Sequence, residues 1–145
     1  MNLARSSVAA FLLMVVGIVW LYLRHELFTR SIPVIVVQVL AVLLMISARL
    51  AFGRRSFHAA ANPTAGGLVT SGPYRWVRHP IYAAAMYFTW APVLYFHSPQ
   101  AIAAAALVTL GGVARMLAEE KMLVGMYPEY AGYKARTARI IPFVL

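Results

Sequence analysis

The sequence has no cysteine, which excludes disulfides, thiolate metal sites and a cysteine nucleophile. Acid is nearly missing as well. Four acidic residues stand against 13 lysines and arginines in 145 residues, for a net charge of +9, and only 12% of the chain is charged. No two histidines share helical spacing and no His/Asp/Glu cluster stands out, so no metal site is expected. What fills the chain is apolar: 62% hydrophobic residues and a mean hydropathy of +0.73, far from an ordinary soluble domain. The basic excess does not point to nucleic acid, because the basic residues cluster between apolar runs. Residues 1–145 have room for one domain, and the composition makes it an all-α integral membrane protein.

Four apolar runs follow one another. Ser7 to Leu23 carries no charge and ends on Trp20 and Tyr22, which suit an interfacial aromatic belt. A signal peptide is the other reading of this run. Against it stand the absence of a small-x-small cleavage site and the Arg24-His25-Glu26 that follows directly. Ile32 to Ala48 is the second run, closed by a basic collar of Arg49, Arg54 and Arg55. Pro80 to Phe96 is the third, where Pro92 predicts a kink. After the tight turn His97-Ser98-Pro99, Gln100 to Ala118 is the fourth, alanine-rich with Gly111-Gly112, so that a neighbouring helix can approach closely. Runs of this length approach the thickness of the hydrocarbon core. About four transmembrane helices are predicted, over 7–23, 32–48, 80–96 and 100–118.

Between the second and third runs the composition changes. Asn62 to Gly67 is loop chemistry, and Gly72 to Tyr82 packs two arginines, a histidine and three aromatic rings between two prolines. Gly72-Pro73 reads as a turn and Pro80 as the first residue of a helix. Arg78 and His79 then sit at a helix N-terminus, where backbone N–H groups and the dipole favour negative charge. A polar cluster pressed against apolar spans is expensive unless it binds something. Apart from Arg24 and Arg30, the other eleven basic residues fall in the N-terminus, the middle loop and the C-terminal part. The positive-inside rule places those segments, and both termini, in the cytoplasm. Glu119-Glu120, at the end of the fourth run, faces the same compartment.

The blocks Leu68-Val69-Thr70-Ser71-Gly72-Pro73-Tyr74, Arg78-His79-Pro80-x-Tyr82, Glu119-Glu120, Tyr130-x-x-Tyr133-Lys134 and Ile141-Pro142 resemble the isoprenylcysteine carboxyl methyltransferase family over about 68–143. Phospholipid N-methyltransferases are related small membrane proteins, and the sterol reductases share a distant version of this half. The resemblance implies a cytosol-facing pocket for S-adenosylmethionine, closed by the loop before the third span and by the C-terminal segment. It also implies a lipophilic acceptor that enters from the bilayer. Carried over by motif, Arg78, His79, Pro80 and Tyr82 line the cofactor pocket with Tyr74, Tyr130 and Tyr133. Glu119 and Glu120 contribute from the fourth helix, and Arg115 matches the arginine that meets a substrate carboxylate. One position departs: many members carry a histidine where this chain has Gly66, and His58 substitutes only if the loop folds back.

The residue chemistry agrees with these assignments. Arginine suits the cofactor carboxylate through a bidentate fork, a glutamate suits the ribose or ammonium, and Tyr74, Trp76 and Tyr82 suit the sulfonium and adenine. A carboxylate acceptor is already ionised and needs no base, whereas an amine acceptor needs one, with His79 or Glu120 the candidates. Plainer readings exist. Arg75 and Arg78 also suit positive-inside anchors on lipid head groups, and Tyr74, Trp76 and Tyr82 an interfacial belt. Arg115–Glu119 also suits an ordinary i,i+4 pair, and the tail tyrosines a membrane dock. His25 and His97, at the opposite end, carry no assignment, and the methionines read as packing filler. The alternatives to a carboxyl methyltransferase are a phospholipid N-methyltransferase, a nicotinamide-dependent reductase of the sterol type, and a non-catalytic membrane subunit.

Overall fold

The structure, a computed structural model, describes residues 3–53 and 67–143. Arg54, Arg55, His58 and Gly66 lie outside the described residues. Four long helices carry the fold: α1 (Leu3–Leu23), α2 (Ile32–Phe52), α3 (Pro80–Phe96) and α4 (Pro99–Met126). A short 3-10 helix, Gly72–Arg75, precedes α3, and a two-turn helix, α5 (Tyr130–Arg136), follows α4. Among the described residues there is no strand, only an isolated parallel bridge between Val77 and Ala138.

Local chemistry sets the ends. Proline stands in the first turn of α2, α3 and α4, where its missing N–H costs no helical bond. The Ser98 hydroxyl caps α4 by accepting from the Ala101 amide at 3.2 Å. The helices extend beyond the apolar runs. α1 begins at Leu3, ahead of Ser7, α2 runs on from Ala48 to Phe52, carrying Arg49 inside it, and α4 continues past the apolar run to Met126, so that Glu119 and Glu120 are helical.

α1, α2 and α4 are long and apolar enough to cross a membrane. Large apolar side chains stand exposed around α1 and α2, among them Leu12, Val16, Leu23, Ile32, Val36, Leu40 and Leu43. A contiguous apolar exterior of that extent is a lipid-facing surface. The first helix packs on α4, α4 on α3, and α3 on α2. Glycine lets α1 and α4 meet at the backbone. A Cβ at Gly111 would stand 2.4 Å from the Ala10 carbonyl oxygen, and one at Gly17 2.5 Å from that of Ala104. Such close approach is how helices pack where water supplies no hydrophobic drive between them.

Pro92 has no N–H for the Phe88 carbonyl four residues back. The buried side chain of Gln38 on α2 fills the gap, donating through Nε2 to the Phe88 oxygen at 3.3 Å and to that of Leu27 at 2.8 Å. Trp90 Nε1 donates to Thr109 Oγ1 at 2.9 Å, tying α3 to α4. These bonds keep in-span polar groups satisfied. They also fix the end of the bundle away from the Arg-His-Pro segment.

Candidate active site

Towards the other end the middle of α1, the end of α2, the start of α3 and the last turns of α4 converge. A cavity of about 320 Å³ opens there, within the range of small-molecule sites. One wall is apolar, from Phe11, Met14 and Ile18 on α1 and Met45 and Phe52 on α2. The opposite side is polar, from Arg78, His79, Tyr82, Arg115, Glu119 and Tyr130. Tyr74 and Tyr133 complete it, and the Tyr133 hydroxyl donates to the Tyr74 carbonyl at 2.8 Å. Of the residues the sequence singled out, Pro80 is buried as the first residue of α3, and Glu120 faces away from the cavity.

The two adjacent glutamates therefore have different surroundings. Glu119 accepts a hydrogen bond from the Tyr82 hydroxyl, lies 3.6 Å from His79 Nδ1 and 3.8 Å from Arg115 Nη2. Glu120 is buried behind it among cations: Arg78 Nε at 3.3 Å, His79 Nε2 at 3.2 Å, Arg139 Nε at 3.1 Å and Lys134 Nζ at 3.5 Å. A hundred-degree step per helical residue sends one carboxylate into the cavity and the next towards the tail.

Arg115 is buried, 4% exposed, in the apolar body of α4. Its Nε donates to the Tyr82 hydroxyl at 2.8 Å and its Nη1 to the Ser7 carbonyl at 3.2 Å. The guanidinium also lies over the Phe11 and Tyr82 rings, at 5.4 and 5.7 Å from their centroids.

The tail is strapped across the front of α3. The Arg78 amide donates to the Ala138 carbonyl at 2.8 Å and the His79 amide to that of Arg139 at 3.1 Å. Carbonyls of the tail thus take the amides at the head of α3, and the nearby negative charge is the glutamate pair. Arg78 Nη1 donates to the Lys134 and Thr137 carbonyls, and the Tyr87 hydroxyl to that of Ile140 at 2.7 Å.

Burial pushes the His79 imidazole down, but its hydrogen bonds to both glutamates outweigh this and hold it above the ordinary histidine value. Burial raises the tyrosine hydroxyls of Tyr74 and Tyr133, and that of Tyr130 to about 12. The hydrogen bond to Glu120 raises Arg139. The His79 shift has a definite sign in stability. The contribution of the charged ring is complete below about 6.5, the unfolded value, and is lost as pH rises through the higher folded value. The thermal midpoint should therefore fall as pH is raised above neutrality, and His79→Gln should flatten that slope. A parent profile as flat as the variant's would show that the ring is uncharged between the two carboxylates.

Sequence reasoning missed Arg49 and Arg139. Arg49 lines the cavity with Met45 and Phe52, and their helical spacing was the available signal. Arg139 carried none, since a tail contact to Glu120 depends on how the chain folds back. Two of the tail tyrosines are buried in the protein and do not dock on the membrane: Tyr130 is 1% exposed and Tyr133 3%.

A family model described as phospholipid methyltransferase matches residues 29–130, a span that takes in α2, α3, α4, and the Arg-His-Pro and glutamate blocks. The chain belongs to the phospholipid methyltransferase family. The match carries the reading of the chain as a membrane methyltransferase, and it is to the family that the sequence comparison placed beside the isoprenylcysteine enzymes. No curated protein and no solved structure matches the chain significantly. The matched region ends at Tyr130, so most of the strap lies beyond it.

Proposed function

We propose that the chain is an S-adenosylmethionine-dependent methyltransferase whose acceptor is a lipophilic carboxylic acid, with isoprenylcysteine-like acids the leading class. The observation that carries the cofactor is Tyr130. Its hydroxyl is fully buried at the cavity and has no hydrogen-bond partner among the described residues, so a bound polar group completes it. The remaining residues fit the same cofactor. Glu119 suits its ammonium or ribose hydroxyls, Arg78 its carboxylate, and the Tyr74 and Tyr82 rings its cationic sulfur. When bound, S-adenosylmethionine supplies an electrophilic methyl group, and the protein's part is then positioning and electrostatics.

The acceptor side follows from charge. Among the described residues three arginines line the cavity, Arg49, Arg78 and Arg115, against the single carboxylate of Glu119. An ionised acid suits that balance and needs no base. The family match favours a second reading, a phospholipid amine, whose phosphate would meet the same cations and whose nitrogen would lose its proton to Glu119. In both, the acyl or prenyl chain lies along the apolar wall between α1 and α2.

Topologically we infer four spans, with α3 completing its 17 residues from its flanks, and the site facing the cytoplasm because the basic residues gather at that end. A cysteine placed at Ser98 should then label from outside intact cells, and one at Gly132 only after lysis. The reverse pattern would invert the orientation.

Transfer of a labelled methyl group to an acceptor panel tests the chemistry. A base-labile methyl ester on a prenylated cysteine supports the first reading, and a base-stable label on phosphatidylethanolamine puts the second in its place. Tyr130→Phe tests the cofactor contact independently. Because the hydroxyl bonds none of the described residues, the thermal midpoint should hold. Affinity for S-adenosylmethionine should fall several-fold, corresponding to about 1 kcal/mol for one hydrogen bond. An unchanged affinity would remove Tyr130 from the site.

A further inference from the structure

On the outer side of the strap lies a second concavity, of about 600 Å³, walled by Arg75, Trp76 and Arg78 on one side and by residues 134–139 with Phe143 on the other. We propose that this groove, which shares only Arg78 with the cofactor cavity among the described residues, binds the phosphate of an anionic membrane lipid, independently of the reading above.

Charge is the first argument. Among the described residues five cations line the groove, Arg75, Arg78, Lys134, Arg136 and Arg139, and no carboxylate side chain does. Glu120, behind the groove, occupies three of them, Arg78, Lys134 and Arg139. Arg75 and Arg136 are exposed and carry no ion pair among the described residues. Two guanidinium forks thus stand on opposite walls, each suited to bidentate contact with phosphate oxygens.

The groove is also a built feature. Its two walls are pinned by the parallel bridge between Val77 and Ala138, with the Ala138 amide donating to the Trp76 carbonyl at 3.1 Å. Its cations are therefore held in register, unlike a flexible basic tail.

Its rim favours a lipid over a free anion. Trp76 and Phe143 pack edge to face at 5.6 Å between centroids, yet are 51% and 86% exposed. Just after Arg78 the chain enters the apolar run of α3 at Pro80. An exposed aromatic pair beside the head of an apolar helix sits at the depth of lipid head groups and acyl carbonyls. Basic clusters at that depth attract anionic lipids. The ligand class is a phosphate monoester or diester lipid with net negative charge.

The test uses the whole chain purified in a non-ionic detergent. Binding is measured by native mass spectrometry and thermal shift, with dioleoylphosphatidylglycerol, dioleoylphosphatidylcholine and inorganic phosphate as probes. The parent should bind the glycerol lipid in preference to the choline lipid with the same tails, and phosphate should neither stabilise it comparably nor displace the lipid. The double variant Arg75→Gln/Arg136→Gln, confined to exposed side chains outside the cavity, should lose about tenfold in affinity for the anionic lipid. The variant Arg24→Gln/Arg30→Gln, which removes the same charge at the far end, should keep it. Equal binding of both lipids, equal loss in the two double variants, or displacement by millimolar phosphate would each overturn the proposal.

Discussion

Replacing Glu120 with glutamine is expected to release the C-terminal strap and, through it, weaken cofactor binding. The carboxylate is 7% exposed and faces four cationic side chains. Removing one partner of a buried charge cluster typically costs about 3–5 kcal/mol, because the charges left behind stay desolvated. Arg139 and Lys134 are 39% and 47% exposed and recover water, so a cost just below that range, about 2–3 kcal/mol, is expected. The loss falls on the contacts that hold Tyr130 and Tyr133 at the cavity. Trypsin should then cut after Lys134, Arg136 and Arg139 at a rate at least about tenfold higher, with S-adenosylmethionine affinity falling in parallel. Acceptor KM should change little. If the tail stays protected and affinity is unchanged, the cations around Glu120 are incidental to the site.

Arg115→Lys should act on the other half of the reaction. The guanidinium uses its fork to reach Tyr82 and the Ser7 carbonyl while lying between two aromatic rings. Lysine keeps the charge near Glu119 but cannot make these contacts together. A lost charged hydrogen bond is worth about 1.5–3 kcal/mol. The acceptor kcat/KM should therefore fall on the order of a hundredfold, with cofactor affinity nearly constant. Substitution of a buried arginine also loosens α1, so the thermal midpoint must be followed beside the kinetics. A variant less stable by the full amount but normal in kcat/KM would make Arg115 a packing residue joining α1 to α4.

The long helices were readable because their signal is composition sustained over a helical length: the apolar runs at 32–48 and 80–96 reappear within α2 and α3. Their ends were less so. Arg49 looked like a boundary, yet a long side chain can stay inside a helix while its head reaches a cavity. Counting apolar runs was enough to expect the Arg-His-Pro and glutamate blocks at one end of the bundle, where they meet. Which glutamate faced inward could not, since it depends on the rotation of α4, which is set by backbone contact at Gly17 and Gly111. The strap was hidden for a different reason. Three of its bonds run backbone to backbone, between Trp76–His79 and Ala138–Arg139, and Arg78 and Tyr87 reach it through the carbonyls of Lys134, Thr137 and Ile140; a bond accepted by the backbone leaves little trace in residue identity.

The most direct measurement is cofactor binding by the purified chain in detergent, read as thermal stabilisation by S-adenosylmethionine, its demethylated product and NADPH. A ligand specific for the folded state at 100 times its Kd adds about 2.7 kcal/mol, an easily resolved shift. The account predicts that shift for the two sulfur compounds, its reduction in Tyr130→Phe, and none for NADPH. A shift with NADPH alone, or with none of the three, would contradict it.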